Sequence, residues 1–163
     1  GGFRVIVRPH PETIKRFPRL VEDFQRQFSS EPCFSLEHSV RTDDSMLEAD
    51  VLITDWSGIA IEFAFGTERP VLYVDVPRKV HNPRYGELEI LPFEVLMRDK
   101  LGIVVSPEEL DGIARFVNVL IEDRKDYQDR IVHIRSEHIF NFGHAGEIGA
   151  LHILGLAIDQ EIT

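Results

Sequence analysis

Four residues, Asp55-Trp56-Ser57-Gly58, lie between the apolar run "DVLIT" and the run "IAIEFAFG", which suits a helix. The first N–H groups of a helix are unpaired and partly positive, so they bind phosphate oxygens. Gly58 would let a ligand approach the backbone, and Ser57 adds a hydroxyl. Glu62, about a turn later, can accept hydrogen bonds from sugar hydroxyls. These residue types predict a phosphorylated ligand; the alternatives are an N-cap at Ser57, a turn at Gly58 and a packing role for Trp56.

A second motif surrounds His10, which stands between two prolines after the apolar run "FRVIV" and two residues after Arg8. The prolines fix the local backbone. A histidine held in this way can donate a proton or a hydrogen bond to a phosphate or a leaving group. Arg8 is a candidate anion partner. The alternative is a histidine whose ring only satisfies backbone groups near the start of a helix.

Other residues are weaker candidates. Arg41 could pair with an anion, and Arg84 and Tyr85 lie in the polar segment "PRKVHNPRYGELEILPFEV", predicted as a loop that could cover a nucleotide. The other histidines have no metal-ligand spacing with acidic residues, so no metal is expected. The chain also lacks GxxxxGK[ST] and GxGxxG, so neither a phosphate-loop NTPase nor a dinucleotide oxidoreductase is indicated.

The composition is that of one globular domain of 163 residues, with 43% hydrophobic and 28% charged residues. A net charge of −10 argues against a nucleic-acid partner. Cys33 is the only cysteine, which excludes a disulfide framework; we expect a buried strand thiol and a cytoplasmic location. No apolar run approaches the ~20 residues of a membrane span.

Apolar strands alternate with helical patterns along the chain, which predicts an α/β fold: a Rossmann-like parallel sheet with helices on both faces. The helix that starts at Ile59 is predicted to end at Gly66, and Ser106 to Glu109 has the pattern of a capping box. Parallel sheets bind ligands at the carboxyl ends of their strands. "RPHP" and "TDWSG" both follow strands, so we expect them at one edge of the sheet.

The segment "ADVLITDWSGIAIEFAFGTERPVLYVD" resembles the central motif of the CDP-glycerol glycerophosphotransferases, bacterial enzymes that prime or polymerise teichoic acids. "VIVRPHP" resembles the strand and His-Pro motif that precedes it in that family. "NFGHAGE" resembles the family's region before its last helix. The resemblance covers most of residues 4–158 in the same order.

This resemblance implies a GT-B enzyme, whose two Rossmann-like halves face a cleft. Residues 1–163 would be the C-terminal, donor-binding domain of a longer enzyme, inactive without the acceptor-binding half. The enzyme would transfer glycerol phosphate, a related polyol phosphate or a sugar from a nucleotide-linked donor such as CDP-glycerol. The acceptor would be a cell-envelope polymer or a lipid-linked molecule. It would need no metal, and the full-length protein would lie at the inner face of the cell membrane.

The resemblance also implies roles for single residues. Asp55, Ser57 and Gly58 would lie at the donor diphosphate, and Glu62 near the ribose. His10 would lie beside the phosphates as a catalytic residue or one that stabilises the leaving group. Three positions depart from the family pattern, since it has tyrosine, serine and aspartate where this chain has Trp56, Gly58 and Glu62. These departures concern the donor more than the fold.

Two other functions agree with the same residues. UDP-sugar 2-epimerases and other GT-B glycosyltransferases share the two-half architecture, and the epimerases also place a Ser-Gly turn before a helix of the donor-binding half. An acidic α/β domain without catalytic activity could instead bind a protein partner through a sheet edge. Ligand binding distinguishes these three functions: a transferase domain should be stabilised by a cytidine diphosphate ligand, an epimerase domain by a uridine diphosphate ligand, and a protein-binding domain by neither.

Overall fold

A computed structural model describes residues 2–37, 44–78, 82, 84–88 and 90–161. The fold is mixed α/β. The strands of these described residues, each three or four residues long, are β1 (Val5–Val7), β2 (Phe34–Leu36), β3 (Leu52–Thr54), β4 (Val71–Val74) and β5 (Gly102–Val105). Their α-helices are α1 (Pro11–Arg16), α2 (Pro18–Phe28), α3 (Asp44–Glu48), α4 (Ile59–Thr67), α5 (Phe93–Leu101), α6 (Ile113–Glu122), α7 (Arg124–His138) and α8 (Ala145–Glu161). Two short 3-10 helices cover Tyr85–Leu88 and Pro107–Gly112.

All strand pairs in the described residues are parallel. β1 pairs with β2, and β4 lies between β3 and β5. The predicted α/β fold with parallel strands is therefore confirmed. The described strands form two hydrogen-bonded groups, β1-β2 and β3-β4-β5, where the sequence predicted one sheet.

Helices cover both faces of the β3-β4-β5 sheet. On one face, Val71 and Tyr73 of β4 pack in a buried cluster with residues of α4, α5 and α7. On the other face, Leu72 of β4 packs with Val105 and with Leu120 of α6. Successive side chains of β4 lie on opposite faces of the sheet and pack in two different cores. The whole strand is apolar for this reason.

Local signals placed several helix boundaries correctly. A break at Phe17 separates α1 from α2, with Pro18 at the first position of α2. Ser106 and Glu109 form the predicted capping box: the Ser106 hydroxyl accepts from the backbone N–H of Glu108, and the Glu109 carboxylate accepts from that of Ser106. Capping and proline signals act within one helical turn, so the sequence alone reveals them.

Three predictions were wrong. The segment predicted as a loop contains the 3-10 helix Tyr85–Leu88 and leads directly into α5 at Phe93. Gly66 does not end α4; the helix continues to Thr67, and Glu68 takes the left-handed conformation with φ of 57°. Cys33 is exposed and precedes β2, so it is not a buried strand thiol.

The last described helix, α8, has exposed apolar side chains at Leu151, Ile153 and Leu154. It has 17 residues. Within the described ranges, no helix combines the length and apolarity that crossing a bilayer requires.

The end of α4 is held by α7 through charged hydrogen bonds. Arg135 donates to the Phe65 carbonyl at 2.5 Å and to the Glu68 carboxylate at 2.6 Å. Gln128 donates to the other Glu68 oxygen at 2.9 Å. The hydrogen bonds from Gln128 and Arg135 hold the pKa of Glu68 below its usual range. This network fixes α4, whose first turn faces the site described below.

Glu68→Gln is expected to destabilise the protein by about 1–2 kcal/mol at pH 7, because Arg135 loses its charged partner. A carboxyl whose pKa is lower in the folded state stabilises the folded protein at pH values above its unfolded pKa, here 4.5. This stabilisation is lost as the pH falls through the folded pKa. The difference between wild type and variant should therefore shrink in urea unfolding below pH 4.5. Asp50→Asn removes an exposed partner of Arg124 and is the control; an equal loss there would contradict the prediction.

Candidate active site

A cleft of about 1260 Å³ lies where β1, β3 and β4 end. We call it the strand-end cleft. Its lining comes from four segments and from the single side chains of Met46 and Tyr73. The segments lie within Arg8–Phe17, after β1; Thr54–Glu62, from the end of β3; Val76–Arg78, after β4; and Pro92–Arg98, at the start of α5 and within it. Parallel strands end at one side of their sheet. The ends of β1 and of β3 and β4 meet at this cleft although these strands belong to two hydrogen-bonded groups.

All seven predicted site residues line this cleft: Arg8, His10, Asp55, Trp56, Ser57, Gly58 and Glu62. The two motifs, separated by more than 40 residues in the sequence, therefore contribute to one concave surface. Their roles in ligand binding stay predictions.

The start of α4 offers free backbone donors. Ala60 donates to the Ser57 carbonyl and Ile61 to the Gly58 carbonyl, whereas in the described structure the amides of Gly58 and Ile59 donate to no acceptor. α4 has nine residues, so its aligned peptide dipoles add positive potential at this end. The start of α4 thus combines free N–H groups with a position in the cleft wall.

Ser57 is not the N-cap of α4. Gly58 occupies that position and the helix has no side-chain cap, so the capping interpretation of Ser57 was wrong. Gly58 has φ of −59°, which any residue adopts, and a Cβ there would meet no atom within 4 Å. Neither backbone strain nor internal packing requires this glycine. The space beside it belongs to the cleft.

His10 is held in a defined orientation as the N-cap of α1. Its Nδ1 accepts a hydrogen bond from the backbone N–H of Glu12 at 3.1 Å. A neutral ring that accepts at Nδ1 carries its proton on Nε2. The exposed His10 therefore offers one N–H donor at the cleft. The capping role, which the sequence left as an alternative, is present together with a place in the cleft.

The charged candidates differ in their partners. Arg8 is half-buried, and its Nε lies 3.5 Å from Glu37, which also accepts from the Ser45 hydroxyl at 2.5 Å. Asp55 and Glu62 are exposed, and neither forms an ion pair in the described part of the chain. Two carboxylates repel phosphate and accept from hydroxyls, so they suit the polyol or sugar part of a ligand better than its diphosphate.

Trp56 is tied to the protein by its own interactions. Its indole N–H donates to the Val76 carbonyl at 2.7 Å, and the Arg98 guanidinium lies 3.6 Å from the ring centroid. The indole N–H and one stacking position of the ring are therefore already occupied by other parts of the protein. The packing alternative for Trp56 is present, beside its place in the cleft wall.

Sequence reasoning missed Arg78, Arg98 and Tyr73. Arg98 is 6% exposed and pairs with Asp75 at 2.7 Å. Burial raises the pKa of Tyr73 to about 12, against a smaller lowering by Arg98, so this hydroxyl stays protonated at neutral pH. One signal could have located Arg98: Phe93, Met97 and Leu101 recur every four residues and predict α5.

Of the weaker candidates, Arg84 and Tyr85 do not line the cleft. Arg41 lies outside the described residues. Arg84 pairs with Glu87 at 2.8 Å, and the Tyr85 hydroxyl accepts from Arg78 at 2.9 Å. Among the described residues, no group of three or more His, Cys, Asp and Glu side chains is arranged to hold a metal ion.

Comparison with known proteins adds one finding. Residues 2–80 match the model of a family described as CDP-Glycerol:Poly(glycerophosphate) glycerophosphotransferase. No curated protein and no solved structure gave a significant match. The matched segment runs from β1 through the end of β4 and carries both motifs of the cleft, His10 and Asp55 to Gly58. Residues 2–80, with the two motifs that the sequence singled out, are therefore similar to the CDP-glycerol:poly(glycerophosphate) glycerophosphotransferase family.

Proposed function

We propose that the strand-end cleft binds a CDP-linked polyol, with CDP-glycerol as the first candidate, and that the protein transfers glycerol phosphate to an acceptor hydroxyl. The main support is that the free α4 amides and the His10 N–H donor lie in the same cleft. The family of residues 2–80 supports the class of reaction. The acceptor in this proposal is a cell-envelope polymer such as teichoic acid, or a lipid-linked molecule.

The chemistry is displacement at phosphorus. The acceptor oxygen attacks the phosphorus that carries glycerol, and the bond from this phosphorus to the bridging oxygen breaks. CMP leaves with the electron pair, and the hydroxyl proton passes to a base that the acceptor-binding half would supply. Negative charge grows on the leaving phosphate. The amides of Gly58 and Ile59, the Ser57 hydroxyl and the Nε2–H of His10 would stabilise that charge.

The remaining site residues have roles in the same proposal. Asp55 and Glu62 accept hydrogen bonds from hydroxyl groups of the polyol or ribose. Arg8 adds positive potential next to His10, and Trp56 holds the turn that precedes α4. The proposed reaction uses helix amides and His10 where other phosphoryl transferases use a metal ion. It takes place in the cytoplasm, at the inner face of the cell membrane.

The proposal predicts selective stabilisation by ligand. At 100 times its Kd, a ligand that binds only the folded state adds about 2.7 kcal/mol, which raises the Tm of a chain of this size by about 5–10 °C. CDP-glycerol should give this shift, CDP-ribitol a comparable or smaller one, and UDP-GlcNAc none. Differential scanning fluorimetry measures all three.

A matched variant links the shift to the start of α4. Gly58→Ala should fold, since its Cβ meets no atom within 4 Å, yet the methyl group stands where a phosphate would approach. Its CDP-glycerol shift should fall by half or more. A shift with UDP-GlcNAc alone would favour an epimerase or another glycosyltransferase. No shift with any nucleotide would favour a domain that binds a protein partner.

A further inference from the structure

We propose that Arg78 binds a phosphate group of the ligand in the strand-end cleft. This inference rests on the proposed function. Arg78 follows β4, lines the cleft and is exposed. It lies in a part of the wall that neither sequence motif supplies.

The charges of the cleft wall single out Arg78. Four arginines line the cleft. Three have a carboxylate partner: Arg8 pairs with Glu37, Arg16 with Glu12 and Arg98 with Asp75. Within the described ranges, Arg78 forms no ion pair. Its side chain donates to a neutral acceptor, the Tyr85 hydroxyl, at 2.9 Å. The positive charge of Arg78 is therefore the least compensated among these four.

Aromatic rings hold this guanidinium in place. Its central carbon lies 4.7 Å from the Tyr85 ring centroid and 5.3 Å from that of Trp56. A guanidinium has five N–H donors, of which the Tyr85 hydroxyl uses one. Aromatic faces attract the cation without using its remaining donors. Arg78 is thus positioned at low entropic cost and keeps donors for two phosphate oxygens.

Arg98 also contacts the Trp56 ring. Its guanidinium lies 3.6 Å from the Trp56 ring centroid, it is held by Asp75, and its buried Nε has no hydrogen-bond partner in the described part of the chain. Since Trp56 also donates to the Val76 carbonyl, the ring cannot move freely. Trp56 directly precedes Ser57, so it connects Arg78 to the turn before α4. The α4 amides and Arg78 would then bind the same diphosphate from one wall of the cleft.

The test uses CDP and inorganic pyrophosphate as probes. Titration calorimetry should show that Arg78→Gln weakens binding of both by about tenfold or more, while Arg78→Lys recovers part of the loss. Arg84→Gln makes the same change of charge in the neighbouring segment, outside the cleft, and should bind like wild type. Affinity should fall less steeply with NaCl for Arg78→Gln than for wild type, which a purely structural effect would not produce. Trp56, the only tryptophan, should change its emission on binding, since Arg78 lies near its ring.

The outcomes separate the two proposals. If CDP binds and Arg78→Gln matches wild type in affinity and salt dependence, the role of Arg78 is refuted while the donor site stands. If pyrophosphate binds through Arg78 but CDP binds no better than pyrophosphate, Arg78 is a phosphate ligand and the nucleotide donor is refuted. If wild type binds neither probe, both proposals fall. A melting curve of each variant shows that it is folded.

Discussion

Gly102→Ala is expected to leave little folded protein. Gly102 opens β5 and pairs with Val71 of the central strand β4. A Cβ built on it would overlap the Val71 carbonyl oxygen and would lie 2.6 Å and 2.9 Å from the Val71 carbonyl carbon and amide nitrogen. These are backbone atoms of a fully buried residue, so no side-chain rotation relieves the overlap. The φ of Gly102 is 178°, so the requirement for glycine comes from this close approach and not from strain.

The expected cost exceeds about 3 kcal/mol, a large part of the stability of a typical domain. Soluble yield, far-UV circular dichroism and urea unfolding measure it. Gly66→Ala is the matched control: it adds the same methyl group inside α4, where nothing lies within 4 Å, and should stabilise by about 0.5–1 kcal/mol. If Gly102→Ala unfolds within 1 kcal/mol of wild type, the register between β4 and β5 must be different.

The sequence could not reveal this requirement, because it depends on which strand lies beside Gly102. Properties that depend on neighbours in the chain were predicted well. Examples are the apolar strands, the capping box at Ser106 and the break before Pro18. Each of these is decided by hydrogen bonds and sterics within one helical turn or one strand.

Predictions that needed long-range information were wrong or incomplete. Cys33 is exposed and lies one residue before the start of β2. Its burial depends on which parts of the chain pack against it, and the local sequence does not reveal them. Glu68 ends α4 in a left-handed conformation that glycine would adopt more easily, and Arg135 and Gln128 from α7 hold it there. The sequence favoured Gly66 as the end of α4, because nothing in it indicates that Arg135 and Gln128 contact Glu68.

The candidate site divides in the same way. Its two motifs were recognised because each follows a strand, and parallel strands bring their ends to one edge. Arg78 and Arg98 were missed since their importance comes from contacts with Trp56, about 20 and 40 residues earlier in the chain. A helical pattern in Phe93 to Leu101 would have placed Arg98 on α5, but its stacking on Trp56 would still have been unknown.

His10→Asn is the change expected to reduce turnover most without loss of the fold. His10 has two roles in this structure: Nδ1 caps α1, and Nε2 carries the N–H that the proposed reaction uses at the leaving phosphate. His10→Ala removes both, so its effect could come from either. Asparagine is among the best N-cap residues, and its side-chain oxygen can accept from the Glu12 amide. His10→Asn therefore keeps the cap and removes the donor at the cleft.

For this variant, kcat of the full-length protein with CDP-glycerol and an acceptor should fall by about 10²–10³-fold, while KM for CDP-glycerol and the Tm change little. His10→Ala should show the same fall in kcat together with about 1 kcal/mol of lost stability. Thr13→Ala, at a neighbouring position of the cleft wall, is the control and should keep most of its activity. A histidine that only capped α1 would give the opposite pattern, with His10→Asn fully active and His10→Ala impaired in proportion to its lost stability. That result would remove His10 from the chemistry and leave the α4 amides and Ser57 as the groups that stabilise the leaving phosphate.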